Sequence, residues 1–313
     1  MRSGLARSVN TIAVRILADL VKPENSFHFV EDKYHIDLVD ALEVNGKISS
    51  DIDVSPLALG GLTNGVSTRD MAEAYATFPS NGIYSYSRTY TKVLDSNGEV
   101  LLDNQPETHT VLKESTAWYM NTMLQRVISG SGVSGDGHTG YEAALSGMRA
   151  AGKTGTTSDN FDRWFVGYTP YYTAAVWTGY EQNEKMKTGS ANPAAVLWKK
   201  VMSQVHEGLE NKKFPEVSGL KQVTYCLDSG LLAGEYCALD PRGSRVATDY
   251  IFPEDYPDGR TCTVHTAESV VKVCVDSPIL NEDGTETGLY HIAGPYCPEE
   301  SLREVCYPNY ERA

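Results

Sequence analysis

Three neighbouring stretches restrict what this 313-residue chain can fold into more than anything else in it. They are AAGKTGTT (150–157), RWFVGYTP (163–170) and YYTAAVWTGY (171–180), dense in β-branched and aromatic residues and separated by short polar breaks. Such side chains fit the pleated, half-buried face of a sheet, and breaks this short join neighbouring antiparallel strands. A helix-patterned stretch, AAVLWKKVMSQVHEGL (194–209), follows and can cover one face of that sheet. Upstream, residues 6–21 place Ile12, Ile16, Leu17 and Leu20 at helical spacing before Pro23. Residues 56–78 read as a second helix with Thr68 or Asp70 near its N-cap. Glu114 to Ile128 reads as a third, with Trp118, Met123, Leu124, Val127 and Ile128 on one broad face. Residues 89–102 read as two short strands about Asn97-Gly98, and a glycine-rich loop, GSGVSGDGHTG, occupies 130–140. The expected class is α/β of the α+β type: an antiparallel sheet flanked by helices.

The cysteines divide the chain. Cys226, Cys237, Cys262, Cys274, Cys297 and Cys306 all lie in its last third. An even number confined to one segment points to a disulfide framework outside the reducing cytosol, with free buried thiols as the alternative. Cys262-x-x-His265 has the form of half a zinc site, but no second half stands at metal-ligand spacing, so the expectation is no metal. Phe214-Pro215 and Ser218-Gly219 read as a linker, giving domains at 1–216 and 217–313, the second a small Cys-bearing extension. From 217 on there are 7 basic against 16 acidic residues, so the extension carries most of the net charge of −14. That excess argues against a nucleic-acid partner, because a phosphate-binding surface needs Lys and Arg in excess. No apolar run is long enough to span a bilayer, and no apolar leader follows Met1.

The stretch GMRAAGKTGTTSDN (147–160) fits three patterns at once. Gly147 to Thr154 has the text of a phosphate-binding P-loop. That loop needs a buried strand before it and a helix starting at the Lys-Thr, and neither flank has that character. Gly130-x-Gly132-x-x-Gly135 fits the dinucleotide fingerprint but follows a helix rather than a strand. No cofactor is expected. Lys153-Thr154-Gly155 is a K-T-G triplet, which needs a strand edge lining an acyl-transfer cleft. Ser158-Asp159-Asn160 is a literal S-D-N lying just past that strand.

Read together, GKTGTTSDNFDRWFVGYTPYYTAAVWTGY resembles the K-T-G segment of class A penicillin-binding proteins, the peptidoglycan transpeptidases. The matching positions are Lys153 to Thr157, then Asp162, Trp164, Phe165, Gly167 and Tyr168, then Val176, Trp177, Gly179 and Tyr180. LARSVNTIAVRIL resembles the start of the family's S-x-N helix, and ALGGLTNGVSTRDMAEAYATFPSNGIY the segment between S-x-N and K-T-G. The resemblance covers about residues 5–210. More weakly, the cysteine pattern resembles the tails of some Gram-positive members.

The resemblance implies a penicillin-binding transpeptidase fold, with Ser8 as proton relay, Asn10 as substrate amide contact and Lys153 as catalytic cation. Thr154, Gly155 and Thr156 would bind substrate, Thr154 through the substrate carboxylate and the Thr156 N–H as an oxyanion donor. Ser158-Asp159-Asn160 and Ser190-Ala191-Asn192 are then chance matches. Partners would be peptidoglycan stem peptides ending in D-Ala-D-Ala, and β-lactams. The family's nucleophile lies in an S-x-x-K motif before S-x-N. Here the seven residues MRSGLAR precede Ser8 without a Lys, while Ser218-x-x-Lys221 and Ser269-x-x-Lys272 come after K-T-G in the wrong order. The expectation is a C-terminal portion, inactive alone, of a protein at the extracytoplasmic face of the bacterial membrane. Its anchor would lie outside these residues, and the exposed edge of an incomplete sheet would favour self-association. A non-catalytic homologue that binds wall peptides, or a serine β-lactamase or carboxypeptidase relative, are the alternatives.

Overall fold

A computed structural model describes residues 2–130, 137–182, 184–187, 189–256 and 258–309. Residues 131–136 of the glycine-rich loop, and with them most of the dinucleotide-like match, lie outside the described residues. The chain divides into two compact units, Met1–Val217 and Ser218–Ala313.

The first unit is built on the expected meander. Ala151–Thr156, Asp162–Tyr168 and Thr173–Gly179 form a three-stranded antiparallel sheet with Asp162–Tyr168 in the centre. Lys153 pairs with Val166 and Gly155 with Trp164, and Trp164 in turn stands opposite Trp177. The helix Pro193–Val205 packs on one face. Its Trp198 is fully buried against Phe165, and the Trp198 indole N–H donates to the carbonyls of Gly167 (3.2 Å) and Ala174 (3.1 Å). A Cβ on Gly167 would come within about 3.0 Å of the Trp198 ring, so a glycine is needed for helix and sheet to approach this closely. Glu114–Ser129 buries Ala117, Asn121, Leu124, Val127 and Ile128. Asn121 is the polar exception in that face: it accepts from Tyr168 Oη at 2.7 Å and donates to the Phe78 carbonyl at 2.8 Å. Its amide is thereby satisfied, as a buried polar group must be.

Two expected helices differ in detail. The 56–78 region is two helices, Val54–Leu59 and Thr68–Ala76, because Gly60, at φ 82°, ends the first. Ser67 caps the second, accepting from the Asp70 N–H at 3.1 Å while Asp70 reaches back to it. The 6–21 region breaks at Ser8. Arg2–Ala6 ends there, Asn10–Arg15 starts two residues on, and Ile16–Val21 continues as a π-helical turn.

The second unit holds two small sheets. Lys221–Cys226 pairs with Val246–Ile251, and Val270–Leu280 lies between Glu286–Ile292 and Leu302–Cys306. One disulfide, Cys274–Cys297, is present. Cys226, Cys237, Cys262 and Cys306 are free and buried, so the six cysteines do not form the all-disulfide framework expected from their number. No helix among the described residues is long and apolar enough to cross a membrane.

Candidate active site

The K-T-G strand is an edge strand: on its other side it has no strand among the described residues. Thr157 donates its N–H to Asp162 O across the sheet at 3.3 Å. Backbone groups alternate along an antiparallel strand. The N–H groups of Gly155 and Lys153 therefore turn inward, and those of Thr154 and Thr156 face the open edge. An N–H that faces an open strand edge can donate to a bound group.

Ser8 reaches that edge from the N-terminal turn. It occupies the left-handed region at φ 57°. Its N–H donates to Leu5 O at 3.1 Å, and the Val9 N–H donates to Gly4 O at 2.9 Å. These two bonds make a Schellman cap on Arg2–Ala6, a position glycine ordinarily fills. A serine there accepts backbone strain and supplies a hydroxyl instead. Lys153 Nζ donates to Ser8 Oγ at 2.7 Å and to the Thr154 carbonyl at 2.8 Å. Burial pushes the Lys153 ammonium down to about 8, since desolvation disfavours its charge.

Thr154 Oγ1 donates to Thr139 Oγ1 at 2.9 Å, and the Thr139 N–H donates to Ala6 O at 3.0 Å. Thr139 thus ties the Ser8 turn to the K-T-G strand. It was not legible in the sequence, where it is one residue of a glycine-rich loop with no motif around it. Thr156 is exposed, and its hydroxyl accepts from Arg163 Nη1 at 3.4 Å. A Cβ on Gly155 would meet Trp164 Cβ at 3.0 Å. Asn10 opens its helix with an exposed side chain. Ser8, Lys153 and Thr154 are therefore joined by direct bonds or through Thr139, while Asn10 begins the next helix two residues after Ser8.

The competing matches lie elsewhere. Lys153-Thr154 sits inside a strand rather than at a helix start, which removes the P-loop reading. Ser158 to Asn160 is a turn, with Asn160 at φ 59° and its side chain accepting from Arg163 Nη2 at 2.7 Å. Asn192 is the N-cap of Pro193–Val205, accepting from the Ala194 N–H at 3.0 Å. Ser218, Lys221, Ser269 and Lys272 all belong to the second unit.

A strand-edge K-T-G bonded to a serine from a helical turn defines a class of fold and site, and comparison with known proteins agrees with it. The family model described as the penicillin-binding protein transpeptidase domain matches residues 1–203, and the chain belongs to that family. It is 36% identical over 238 residues to penicillin-binding protein 1A of Clostridium perfringens, covering 74% of this chain and 27% of that protein. It is 34% identical over 262 residues to penicillin-binding protein 1A of Clostridium botulinum, covering 82% and 30%. The chain thus spans under a third of the length of these relatives. The crystal structure of penicillin-binding protein 1A from Haemophilus influenzae shares the fold, with a TM-score of 0.66 at 18% identity over 83% of this chain and 41% of that one. PonA1 of Mycobacterium tuberculosis, solved in complex with penicillin V, aligns with a TM-score of 0.54 at 25% identity over 70% of this chain and 59% of that one.

Proposed function

We propose that residues 1–216 form the S-x-N and K-T-G walls of a peptidoglycan D,D-transpeptidase cleft, the site that cross-links stem peptides by acyl transfer and is acylated by β-lactams. The observation that carries this reading is the 2.7 Å bond from Lys153 Nζ to Ser8 Oγ.

Two roles follow from the chemistry of that pair. Lys153 as ammonium supplies a fixed positive charge, and with the Thr154 hydroxyl it would receive the carboxylate of a D-Ala-D-Ala peptide or a penicillin. Near pH 8 a sizeable share of the amine is neutral. The ammonium can hand a proton to Ser8 Oγ while Ser8 gives its own to the leaving nitrogen, and the neutral amine so formed regains a proton from the nucleophile's side of the cleft, a two-group relay. Asn10 would contact the substrate amide. The outward Thr156 N–H would donate to the carbonyl oxygen as charge develops there, with Gly155 allowing close approach.

The nucleophile of such a site is the Ser of an S-x-x-K motif, and these residues carry that pattern only in the second unit. We therefore assign the acylated serine to a segment N-terminal to Ser8 in the longer protein, and this chain alone is inactive. The longer protein would work at the extracytoplasmic face of the bacterial membrane, held by its own anchor. Expressed alone, the chain self-associates through the open edge of Thr173–Gly179 and the exposed stripe Leu197, Val201 and Val205.

Fluorescent penicillin labelling tests the assignment. The chain is joined in frame at its N-terminus to a family segment that carries an S-x-x-K motif, and the adduct is read after denaturation by intact mass. The composite should label at one site, and K153A should slow labelling by about 100-fold. A folded composite that takes up no penicillin would overturn the reading. A heat-stable adduct on the chain alone would overturn the placement of the nucleophile.

A further inference from the structure

In the second unit, outside the residues matched by the family, four buried side chains converge. The Sγ atoms of Cys226, Cys237 and Cys262 and a ring nitrogen of His265 all lie within 4.8 Å of one another. They come from separate places: the end of Lys221–Cys226, the 3-10 helix Glu235–Leu239, and the loop that carries Cys262 and His265. We propose that this group is a structural zinc site with Cys226, Cys237, Cys262 and His265 Nδ1 as its four ligands.

Two S···N distances match those of a tetrahedral site. With Zn–S near 2.3 Å and Zn–N near 2.0–2.1 Å, the S···N edge of a tetrahedral site is about 3.6 Å. His265 Nδ1 lies 3.4 Å from Cys226 Sγ and 3.5 Å from Cys262 Sγ. Two backbone N–H groups also point at the sulfurs, Gly234 N to Cys237 Sγ at 3.3 Å and His265 N to Cys262 Sγ at 3.4 Å. Such donors stabilise thiolates rather than thiols.

The histidine is oriented for the task from its far side. His265 is buried, and its Nε2 lies 3.0 Å from Asp240 Oδ2. A carboxylate only accepts, so Nε2 carries the proton and the Nδ1 lone pair faces the sulfurs. Asp240 is in turn held by Arg242, whose Nε and Nη2 donate to it at 2.8 and 2.6 Å. Asp228 accepts from Arg242 at 2.7 Å and Arg245 at 3.0 Å. The carboxylates are thereby engaged by guanidinium groups, which makes them anchors for the imidazole rather than ligands. A carboxylate behind a ligating histidine is the usual support of a zinc centre.

Ligand chemistry selects the metal. Three thiolates and one imidazole, closed and buried, suit zinc and leave no open position for a substrate. The three thiol protons leave to solvent as the metal enters. The role is mechanical. The local core consists of Cys226, Cys237, Cys262 and Val264, with Ala233 and Val246 packed against it, so the ligands themselves are most of what holds these segments together.

The test is metal content of the full chain, purified in reductant without chelator and measured by plasma mass spectrometry after gel filtration. Zinc should be present at one per chain, and Co²⁺ added to the stripped chain should give the sulfur-to-cobalt charge-transfer and d–d bands of a tetrahedral thiolate site. D240N should weaken zinc affinity by about 10–100-fold with its four ligands intact, and C306S should bind as the wild type, since Cys306 lies outside the group. Neither variant removes a ligand, so loss of fold does not decide the result. A chain without zinc whose cobalt spectrum is octahedral would overturn the proposal. So would a peptide map showing a disulfide between any two of Cys226, Cys237 and Cys262.

Discussion

Lys153 Nζ and Ser8 Oγ lie 2.7 Å apart although 145 residues separate them in the chain. The lysine sits on the edge strand of the sheet and the serine at the strained cap of the N-terminal helix. The burial that depresses Lys153 makes its proton labile near neutrality. The Lys153 ammonium should titrate near pH 8 in the folded chain, against an ordinary value of 10.5, as read by NMR of its Cε–Hε resonances. Because the folded pKa is lowered, this charge is a cost below about pH 8. Unfolding takes up a proton between about 8 and 10.5, so stability from this group rises with pH across that window. In S8A the cation loses an acceptor, and its titration should move further down. A Lys153 midpoint above 10 would contradict the burial argument.

Ser8 at φ 57° carries a conformational cost that glycine would not. Ser8→Gly should raise the denaturation midpoint of the first unit by the equivalent of about 1 kcal/mol, while removing the hydroxyl that Lys153 meets. Ser8→Ala should remove the same hydroxyl and keep the strain. Equal stabilities for the two variants would show that the cap is not strained.

Glu73 is a buried carboxylate that accepts from Tyr84 Oη at 2.7 Å, Arg69 Nε at 2.9 Å and the Ser87 N–H at 3.0 Å. Burial works to raise its pKa, but these donors outweigh it and hold the carboxyl at about 2. Its contribution is full above about pH 4.5 and is lost as pH falls from there towards 2. Glu73→Gln should flatten acid denaturation in that window and cost about 2–3 kcal/mol at pH 7. An unchanged acid limb in urea titrations would refute this.

Trp198 fills the space between the helix Pro193–Val205 and the central strand and is fully buried. Trp198→Ala should cost about 3–5 kcal/mol and expose the Phe165 side of the sheet, measured by chemical denaturation. A loss under 1 kcal/mol would mean the helix is not held by this residue.

The exposed stripe Leu197, Val201 and Val205 lies on the outer face of that same helix. Leu197→Glu with Val201→Glu should leave the fold intact by circular dichroism and shift the chain towards monomer in light scattering. Association that persists unchanged would locate the contact elsewhere.

The local periodicities of this chain were enough to determine the three strands of the first unit's main sheet and the helices near 114–128 and 194–205, but not the helix Pro23–Tyr34 or the strands of the second unit. The alternation of aromatic and β-branched residues in 162–180 can be satisfied only as strands, and the apolar spacing in 114–128 only as a helix, because each side-chain period matches one backbone geometry. K-T-G and S-x-N stood out through their resemblance to a known family rather than through periodicity, and the break at Ser8 between Arg2–Ala6 and Asn10–Arg15 was not visible in the spacing. Helix ends were less legible. Ser67 rather than Thr68 or Asp70 became the N-cap, since capping depends on which backbone donors are left unpaired. What only the tertiary structure decided were contacts between residues far apart in sequence. Thr139 joins the Ser8 turn to Thr154 across a loop that carries no motif. Cys226 and Cys237 complete a four-donor group with Cys262 and His265, although their spacing matches no metal pattern. Sequence spacing reports neighbours along one element; which elements meet is set by how the whole chain buries its apolar faces, and that is not written in any one segment.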